Sequence, residues 1–330
     1  MTVTAIATAI VIVNGVAMKY IYWSGGLDST YLLCKTARGI TEQIQPVYII
    51  FPETSERGAA DLEISAQNDL LPLIRAEDGI TATILKPIQI KEDDIPQDAE
   101  FDGAYERMYS EDIISKHYMY RSLGKLAKQY PGIMIGIEAP PPDTRANNIG
   151  KTEEAITSYG IKIAEDGTLT LEENGNKDMY TIFGNMKFCM VHINAIDELE
   201  ALHEWGYDDL IPLCRTCCTT LPQQCGVCSN CEIKMRYGDT FKKYMPKAYV
   251  NYQVKQYLRT IDEKYATLYT IFVWGNGYLS SGRFTSNASG HTEEFYLSTT
   301  TKSKLEEWFN LLLDNYPNFD KVNRADCGIE

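Results

Sequence analysis

The 330-residue chain has few histidines and no excess of basic residues, and each shortage excludes a class of protein. Its four histidines are scattered along the chain and do not form a metal-binding set. Lysine and arginine number 31 against 45 aspartates and glutamates, which gives a net charge of −14. Extended contact with a nucleic-acid backbone needs clustered cations. We therefore expect no stable binding to a nucleic-acid polymer and favour an enzyme that acts on a small molecule.

A membrane span and a secretion signal are also missing from the pattern. Residues 3–17 are apolar, but the run is short and interrupted, and no basic residues precede it. We expect no membrane partner and a cytoplasmic location. Two explanations of the N-terminal extension, residues 1–17, stay open. Translation naturally begins at Met18, or the segment is an extra edge strand.

The most informative pattern in the chain is Ser-Gly-Gly-Leu-Asp-Ser-Thr at residues 24–30. It follows residues 19–23, which predict a strand, and leads into residues 30–38, which predict a helix. Two glycines permit a sharp turn, and a helix start offers free N–H groups and a positive dipole end. The pattern predicts a phosphate-binding loop formed by Ser24, Gly25, Gly26, Leu27, Asp28, Ser29 and Thr30. No lysine follows the glycines, so this is not a Walker loop.

Within this loop, the side chains of Asp28, Ser29 and Thr30 are expected to cap the first turn of the helix. Asp28 is also the candidate ligand of a Mg²⁺ ion, directly or through water, because it would lie beside the nucleotide phosphates. Capping alone is the other explanation of this aspartate.

Strand and helix patterns alternate through the first half of the chain, which predicts an α/β fold with a parallel sheet. Ligands of such sheets bind at the carboxyl ends of the strands. The predicted strands are 19–23, 45–51, 81–86, 132–139 and 188–194. The predicted helices are 30–38, 60–77, 104–130 and 196–205.

Several segments outside this alternation are assigned more coarsely. Residues 91–103 form an acidic loop, and residues 161–185 predict an inserted hairpin with an Asn-Gly turn. The pattern changes after residue 240. A hairpin at 268–284 and a helix at 302–315 predict that residues 241–330 form an α+β extension.

Six of the nine cysteines lie between residues 214 and 231, and such clustering in a cytosolic chain favours metal ligation over disulfides. Cys225, Cys228 and Cys231 supply three ligands. The residues alone leave the fourth open among Cys214, Cys217 and Cys218. Four thiolates predict a closed, structural Zn²⁺ site. An iron–sulfur cluster and a redox pair formed by Cys214 and Cys217 are the alternatives.

The glycine loop and the cysteine block together resemble the 7-cyano-7-deazaguanine synthase family (QueC), which belongs to the PP-loop N-type ATP pyrophosphatases. Thr216-Cys217 before the cysteine triple agrees with that family, as do Pro142-Asp143-Thr144-Arg145 and Gly136-Ile-Glu138. The resemblance covers about residues 18–240. It implies an adenine nucleotide alpha hydrolase-like sheet with helices on both faces. It also selects Cys217 as the fourth zinc ligand in the loop 214–231.

The resemblance further implies a carbon–nitrogen ligase that uses ATP, Mg²⁺ and Zn²⁺. In that family the carboxylate of 7-carboxy-7-deazaguanine attacks the α-phosphate, ammonia displaces AMP, and a second ATP dehydrates the amide to the nitrile. The implied catalytic residues are Ser24, Asp28 and Ser29, and the implied ATP-binding residues are the seven loop residues and Phe51. The implied substrate-binding residues are Glu138, Asp143 and Arg145. A surface ion pair is the other explanation of Asp143 and Arg145.

Three departures from the family pattern concern the nitrile-forming step. Residues 51–57 replace its Tyr-Gly-Gln-Arg-His segment, Thr144 replaces a cysteine, and Ala195 or Asp197 stands where the family has a lysine. One alternative is a relative from a phage or defence gene cluster that stops at the amide or uses another acceptor. The others are a tRNA-modifying PP-loop enzyme and a non-catalytic scaffold. A homodimer is compatible with each of these.

Overall fold

A computed structural model describes residues 11–13, 16–52, 59–114, 118–138, 148–165, 167–173, 175–217, 224–261, 263, 266–267, 269–270, 273, 281–285 and 292–296. The chain divides into two compact units. The first contains Met1–Ser55 and Ala60–Arg215, and the second contains Glu56–Ala59 and Thr216–Glu330. A PP-loop domain at 18–240 with an extension at 241–330 stays a prediction. The contacts themselves divide the chain after Arg215.

The first unit is an α/β unit with a mostly parallel central sheet, which confirms the coarse fold class. Its strands are β1 Val11–Val13, β2 Val16–Tyr22, β3 Gln43–Ile50, β4 Thr83–Ile84, β5 Ile88–Lys91, β6 Ile133–Gly136, β7 Ile161–Ile163, β8 Leu169–Leu171 and β9 Met186–Cys189. The order across the sheet is β4-β3-β2-β6-β9-β8-β7, while β1 pairs with β2 and β5 with β3. Strands β3, β2, β6 and β9 run parallel, and β1, β7 and β8 are antiparallel to their neighbours.

Seven α-helices of the first unit flank this sheet. They are α1 Leu27–Gly39, α2 Ala60–Ala76, α3 Ala99–Ser110, α4 Tyr118–Ala127, α5 Asn148–Ser158, α6 Lys177–Phe183 and α7 Ala195–Glu204. Short 3₁₀ turns lie at Glu92–Asp94 and Ile211–Leu213. The strands read as nearly continuous apolar runs because both faces of the central sheet are covered. Ile21, Val47 and Ile133 are fully buried there. The described helices include none that is long and apolar enough to cross a bilayer.

Helix α1 begins earlier than its sequence pattern indicated. It starts at Leu27 rather than Thr30, with Gly26 as its N-cap and no hydrogen bond from a capping side chain. The prediction that Asp28, Ser29 and Thr30 cap the helix is therefore wrong. Those residues already lie within the first turn, because the glycine adopts the extended backbone conformation of an N-cap residue.

The third predicted strand, residues 81–86, is replaced by β4 and β5. Pro87 separates them, and a proline has no N–H group to donate to the ladder. Part of the predicted acidic loop 91–103 has regular secondary structure. Lys91 is the last residue of β5, Glu92–Asp94 form a 3₁₀ turn, and α3 begins at Ala99. Asp98 caps α3 by accepting from the amide of Phe101 at 2.9 Å.

The predicted helix 104–130 is two helices, α3 and α4. α3 ends at Ser110, and Asp112 has a positive φ of 60°, which does not continue a helix. Gly124 does not interrupt α4, and it packs closely against the ring of Phe101.

The predicted hairpin within 161–185 exists with a different turn. β7 pairs with β8 around Ala164–Thr168, where Gly167 has a φ of +79°. Of the expected turn at Asn174-Gly175, Asn174 lies outside the described residues, and Gly175 stands between β8 and α6 rather than between the paired strands. Asn176 caps that helix by accepting from the amide of Met179 at 3.0 Å. β8 also pairs with β9, so the hairpin extends the main sheet.

The described residues of the second unit include helices α8 Ser229–Met235, α9 Asp239–Tyr244 and α10 Pro246–Ile261, further helical residues between 263 and 273, and one hairpin. The strands of the hairpin are β10 Ser281–Thr285 and β11 Thr292–Tyr296. The predicted hairpin at 268–284 is wrong, because residues 269–270 and 273 are helical and β10 pairs with β11. Its expected turn at 275–277 and the predicted helix 302–315 lie outside the described residues.

Candidate functional site

The loop that joins β2 to α1 lies at the carboxyl end of a central parallel strand. The amide of Trp23 still donates to the carbonyl of Val47 on β3 at 3.0 Å, and the chain turns at the next residue. The hydroxyl of Ser29 accepts from the amide of Ser24 and donates to the carbonyl of Gly26, both at 3.2 Å. The hydroxyls of Ser24 and Ser29 lie 3.2 Å apart. These bonds fix the turn, so both predicted catalytic serines are brought together.

Gly25 makes this turn possible. Its φ is +77°, a conformation that favours glycine, and an added Cβ would lie 3.1 Å from the carbonyl oxygen of Glu63 and 3.3 Å from Cγ of Gln67. The Gln67 amide donates to the carbonyl of Trp23 at 3.0 Å, and its side chain is 1% exposed. The amide of Arg215 donates to the carbonyl of Gly25 at 2.7 Å. Two residues distant in sequence thus hold the loop in place.

The N-terminus of α1 is open in the sense that its N-cap residue is Gly26, which has no side chain to bond the first amides of the helix. The first helical hydrogen bond runs from the amide of Thr30 to the carbonyl of Gly26 at 2.9 Å. The amides of Leu27, Asp28 and Ser29 precede it and have no helical acceptor. Together with the helix dipole, these N–H groups favour an anion. Thr30 and Leu27 are fully buried, and the Thr30 hydroxyl accepts from the indole of Trp23 at 3.0 Å, so both residues anchor the loop.

Three carboxylates meet beside this helix start. Asp28 is in the first turn of α1, Glu138 follows β6, and Glu198 is in the first turn of α7. One oxygen from each lies within 4.8 Å of the others. Glu198 is fully buried, and the other two are half-buried. Carboxylates this close repel one another. A bound hard cation, which prefers oxygen ligands, would offset that repulsion.

Local structure places each of these acids. β2 and β6 are neighbours in the sheet, so α1 and the residues after β6 lie at the same carboxyl edge. Gly136 lies next to the start of α1, since an added Cβ would be in ordinary contact with the carbonyl oxygen of Asp28 at 3.5 Å and in a tighter contact with the sulfur of Met190 at 3.2 Å. Asn194 and Asp197 form a capping box that starts α7 and so sets the position of Glu198.

A buried tyrosine responds to the charge of this cluster. Tyr31 on α1 is 5% exposed and stacks on Trp205 with ring centroids 5.6 Å apart. Burial, together with the nearby carboxylates of Glu198 and Asp197, raises its pKa to about 12. The phenol therefore stays neutral at physiological pH and adds no negative charge to the three acids.

The remaining predicted binding residues have different outcomes. Phe51 follows β3 at the same carboxyl edge, but its side chain is 3% exposed and packs in the hydrophobic core. Asp143 and Arg145 lie in 139–147, outside the described residues. Glu138 belongs to the acid cluster, whereas the family resemblance implied that it binds the substrate. Glu198, Gln67 and Arg215 were missed, because their role depends on contacts between distant segments.

The cysteine cluster of the second unit brings four sulfurs together in an arrangement that could hold a metal ion. Cys217, Cys225, Cys228 and Cys231 each offer a sulfur within 4.8 Å of the others, and all four side chains are at most 3% exposed. The sulfurs of Cys217 and Cys228 are 3.9 Å apart, as are those of Cys225 and Cys231. A tetrahedral ion with metal–sulfur bonds of about 2.3 Å requires about 3.8 Å between sulfurs. The spacing fits one metal ion such as zinc.

The other cysteine candidates are separated from this set. Cys214 donates its thiol to the carbonyl of Leu210 at 3.3 Å and is not one of the clustered sulfurs. Cys218 lies outside the described residues. The assignment of Cys217 as the fourth ligand is therefore the one the geometry supports.

The sulfurs of the cysteine loop accept hydrogen bonds from backbone amides of the same loop. Cys225 accepts from the amides of Val227 at 3.4 Å and Cys228 at 3.2 Å, and Cys228 accepts from the amide of Cys231 at 3.5 Å. A hydrogen bond from Cys225 lowers the pKa of Cys217 to about 7, while burial raises that of Cys225 above its usual value. One thiol is thus poised to ionise, and a bound metal would displace protons from the others.

No family model, curated protein or solved structure matches this chain.

Proposed function

We propose that the first unit is an adenylating enzyme with a PP-loop, which joins AMP from ATP to a carboxylate and releases pyrophosphate. One observation carries this proposal. The open N-terminus of α1, suited to phosphate oxygens, lies next to the carboxylates of Asp28, Glu138 and Glu198, which are suited to a divalent cation. Nucleoside triphosphates bind to proteins as complexes with a divalent cation. Their site therefore needs donors to the phosphate oxygens next to carboxylates that bind the cation.

The acid cluster fits Mg²⁺ by the type and spacing of its ligands. Mg²⁺ takes oxygen ligands at about 2.0–2.1 Å, so opposite ligands of one ion lie about 4.2 Å apart. The oxygens of Asp28, Glu138 and Glu198 lie within 4.8 Å of one another. When bound, Mg²⁺ would neutralise charge that develops on the phosphates.

The residues of the loop have separate tasks in this proposal. The amides of Leu27, Asp28 and Ser29 bind the oxygens of the departing β,γ-pyrophosphate. Ser24 and Ser29 hold the turn through their hydroxyls and contribute donors to the same oxygens. The attacking carboxylate oxygen forms a bond to the α-phosphorus, and the bond from that phosphorus to the bridging oxygen breaks.

For the substrate we propose a 7-deazaguanine 7-carboxylate, on the strength of the motifs shared with the 7-cyano-7-deazaguanine synthase family. Ammonia would attack the acyl carbon of the adenylate, lose a proton and release AMP, which leaves the amide. A second ATP would activate the amide oxygen, and loss of two N–H protons with that oxygen gives the nitrile. Asp143 and Arg145 are the proposed contacts to this substrate, and a guanidinium suits a carboxylate by paired hydrogen bonds.

Among the alternatives, an enzyme that stops at the amide remains compatible with every residue described. A tRNA-thiolating enzyme is disfavoured, because it requires an accessible sulfur-carrying cysteine near the loop. Cys34 on α1 is fully buried, and burial raises the pKa of its thiol. The proposed role of the four-cysteine site is structural, with Zn²⁺ as its metal, because four protein ligands leave no open coordination position.

Turnover of the purified protein tests this proposal. The protein would be incubated with ATP, Mg²⁺, ammonium and 7-carboxy-7-deazaguanine. Chromatography would identify the nucleotide products and mass spectrometry the base. We expect AMP and pyrophosphate, with the amide or the nitrile as the second product. ADP as the main nucleotide would contradict adenylation, whereas AMP formation that ignores the carboxylate would contradict only the substrate.

A further inference from the structure

One face of α10 lies against the backbone of the cysteine loop. Asn251 donates from its amide to the carbonyl of Cys225 at 2.9 Å, and Lys255 donates to the carbonyl of Val227 at 2.7 Å. These two residues are four apart, so they share a face of the helix. The sulfurs of the loop therefore face the candidate metal position, while two of its backbone carbonyls accept hydrogen bonds from α10.

The contact is close and buried. Gly226 has a φ of +76°, and an added Cβ would collide with the backbone of Ala248 in the first turn of α10. Asn251 is 5% exposed and Lys255 is 8% exposed. Tyr269, which is 3% exposed, donates its hydroxyl to the Asn251 side chain at 3.0 Å and so fixes the orientation of that amide. Because burial and hydrogen bonds fix its orientation, the Asn251 side chain can hold the backbone of the cysteine loop in position.

Charged side chains also link α10 to α8. Lys255 pairs with Glu232, which directly follows the proposed ligand Cys231 in α8, and Arg259 contacts the same carboxylate at 3.4 Å. Arg259 also pairs with the exposed Glu263 at 2.9 Å. Lys255 therefore contacts both the backbone of the cysteine loop and the helix that contains Cys231.

We propose that α10 is the outer layer of the metal centre, with Asn251 and Lys255 as positioning residues that hold residues 225–228 in the metal-binding conformation. Metal binding and docking of α10 are then coupled, since each stabilises the same loop conformation. This inference rests on the proposed metal binding by the four cysteines. It gives a role to part of the chain beyond residue 240, which the sequence patterns left unassigned.

Metal affinity measured in solution separates this proposal from a purely structural helix contact. Asn251→Asp keeps the size of the side chain and the acceptor for Tyr269 but removes the donor to the Cys225 carbonyl. Lys255→Met keeps the stem and removes the donor and the charge, while Lys255→Arg restores both. Gln253→Ala, at a half-buried position of the same helix, is the matched control.

Zinc affinity would be determined by competition with a chromophoric chelator, and the coordination would be monitored by the ligand-field spectrum of Co²⁺. We expect Asn251→Asp and Lys255→Met to weaken zinc binding by about 10–100-fold each, the range known for residues that orient metal ligands. Lys255→Arg and Gln253→Ala should stay within about threefold of the unaltered protein. Unchanged affinity in both donor-removing variants would overturn the inference and leave the metal site standing. Absence of zinc binding by the unaltered protein would overturn both.

A second measurement requires no variant and so does not depend on how the variants fold. Hydrogen exchange of the unaltered protein, with zinc and after chelation, would follow the amides of α10 and of β2 and β3 in the first unit. We expect chelation to remove the protection of α10 while β2 and β3 keep theirs. Equal protection of α10 in both samples would refute the coupling.

Discussion

The loop before α1 and the loop before α8 each contain a glycine with nearly the same positive φ, +77° at Gly25 and +76° at Gly226. Each turn delivers backbone N–H groups to the start of a helix. At α1 the N-cap residue is Gly26, which has no side chain to bond those groups. At α8 the sulfur of Cys228 caps the helix by accepting from the amide of Cys231 at 3.5 Å. The N-cap residue therefore leaves room for an anion in the first loop, as our proposal requires, whereas a sulfur fills that position in the second.

The supports of the two loops differ as well. The first is held by a packed sheet and by bonds from Gln67 and Arg215. The second relies on four sulfurs and on α10 rather than on a sheet. We therefore expect the first loop to keep its shape without its ligand and the second to depend on its metal. The following experiments test that difference.

Removing one metal ligand should have the largest effect. Cys228→Ser takes away a thiolate and the cap of α8, and binding of a structural zinc ion contributes on the order of 10 kcal/mol to folding. We expect metal content to fall from about one ion per chain to almost none, and the second unit to lose its protection from hydrogen exchange. Elemental analysis and exchange would measure this.

Cys214→Ser is the control for that variant, because its side chain is buried and bonded to Leu210 but is not part of the cluster. Full metal content should persist there, and also in Cys218→Ser. A Cys228→Ser protein that keeps its metal would refute the assigned ligand set.

Neutralising the acid cluster should have the next largest effect. Asp28→Asn removes one charged ligand beside the helix start, and we expect the rate of AMP formation to fall at least ~10²-fold. Asp61→Asn, an exposed acid in the first turn of α2, should leave the rate unchanged. Steady-state assays with varied Mg²⁺ would measure this. Equal rates for both variants would remove Asp28 from the site.

A methyl group in the first loop should have an intermediate effect. Gly25→Ala puts a side chain at a positive φ, which costs about 1–2 kcal/mol, and brings it against Glu63 and Gln67. ATP affinity measured by calorimetry should fall about tenfold while metal content stays constant. Gly39→Ala at the end of α1 meets no atom within 4 Å and should bind ATP normally. Normal binding by Gly25→Ala would mean that the turn does not shape the site.

Loss of the bond that supports the loop from α2 should have the smallest effect. Gln67→Met keeps the volume of the side chain and removes the donor to Trp23, and one hydrogen bond contributes about 1 kcal/mol. We expect roughly a fivefold loss of activity with the fold retained. Asn68→Ala, exposed on the same helix, is the control. A thermal melt would separate lost stability from lost activity, and full activity in Gln67→Met would show that the sheet alone holds the loop.

Some features of the fold could be read from residue patterns and others could not. The alternation of strands and helices was visible because burial on two faces leaves apolar runs. The predicted strand 81–86 contains only the short β4, and β5 begins after Pro87, which has no N–H group to donate to the ladder. The turn of the β7–β8 hairpin was misplaced because Asn174-Gly175 has the composition of a hairpin turn but lies before α6. Local composition therefore identified turns without deciding which strands they connect.

Both loops can be recognised from local residue patterns. Ser-Gly-Gly before a helix and the Cys225–Cys231 spacing act over a few residues, so backbone conformation and ligand spacing follow from local chemistry. The distant groups that complete each loop depend on how the chain folds. Glu198 joins Asp28 and Glu138 because β2 and β6 are neighbours and α7 starts at Asn194. Asn251 and Lys255 contact the cysteine loop because one face of α10 packs there. Such contacts depend on the packing of segments far apart in the chain, and no local pattern specifies it.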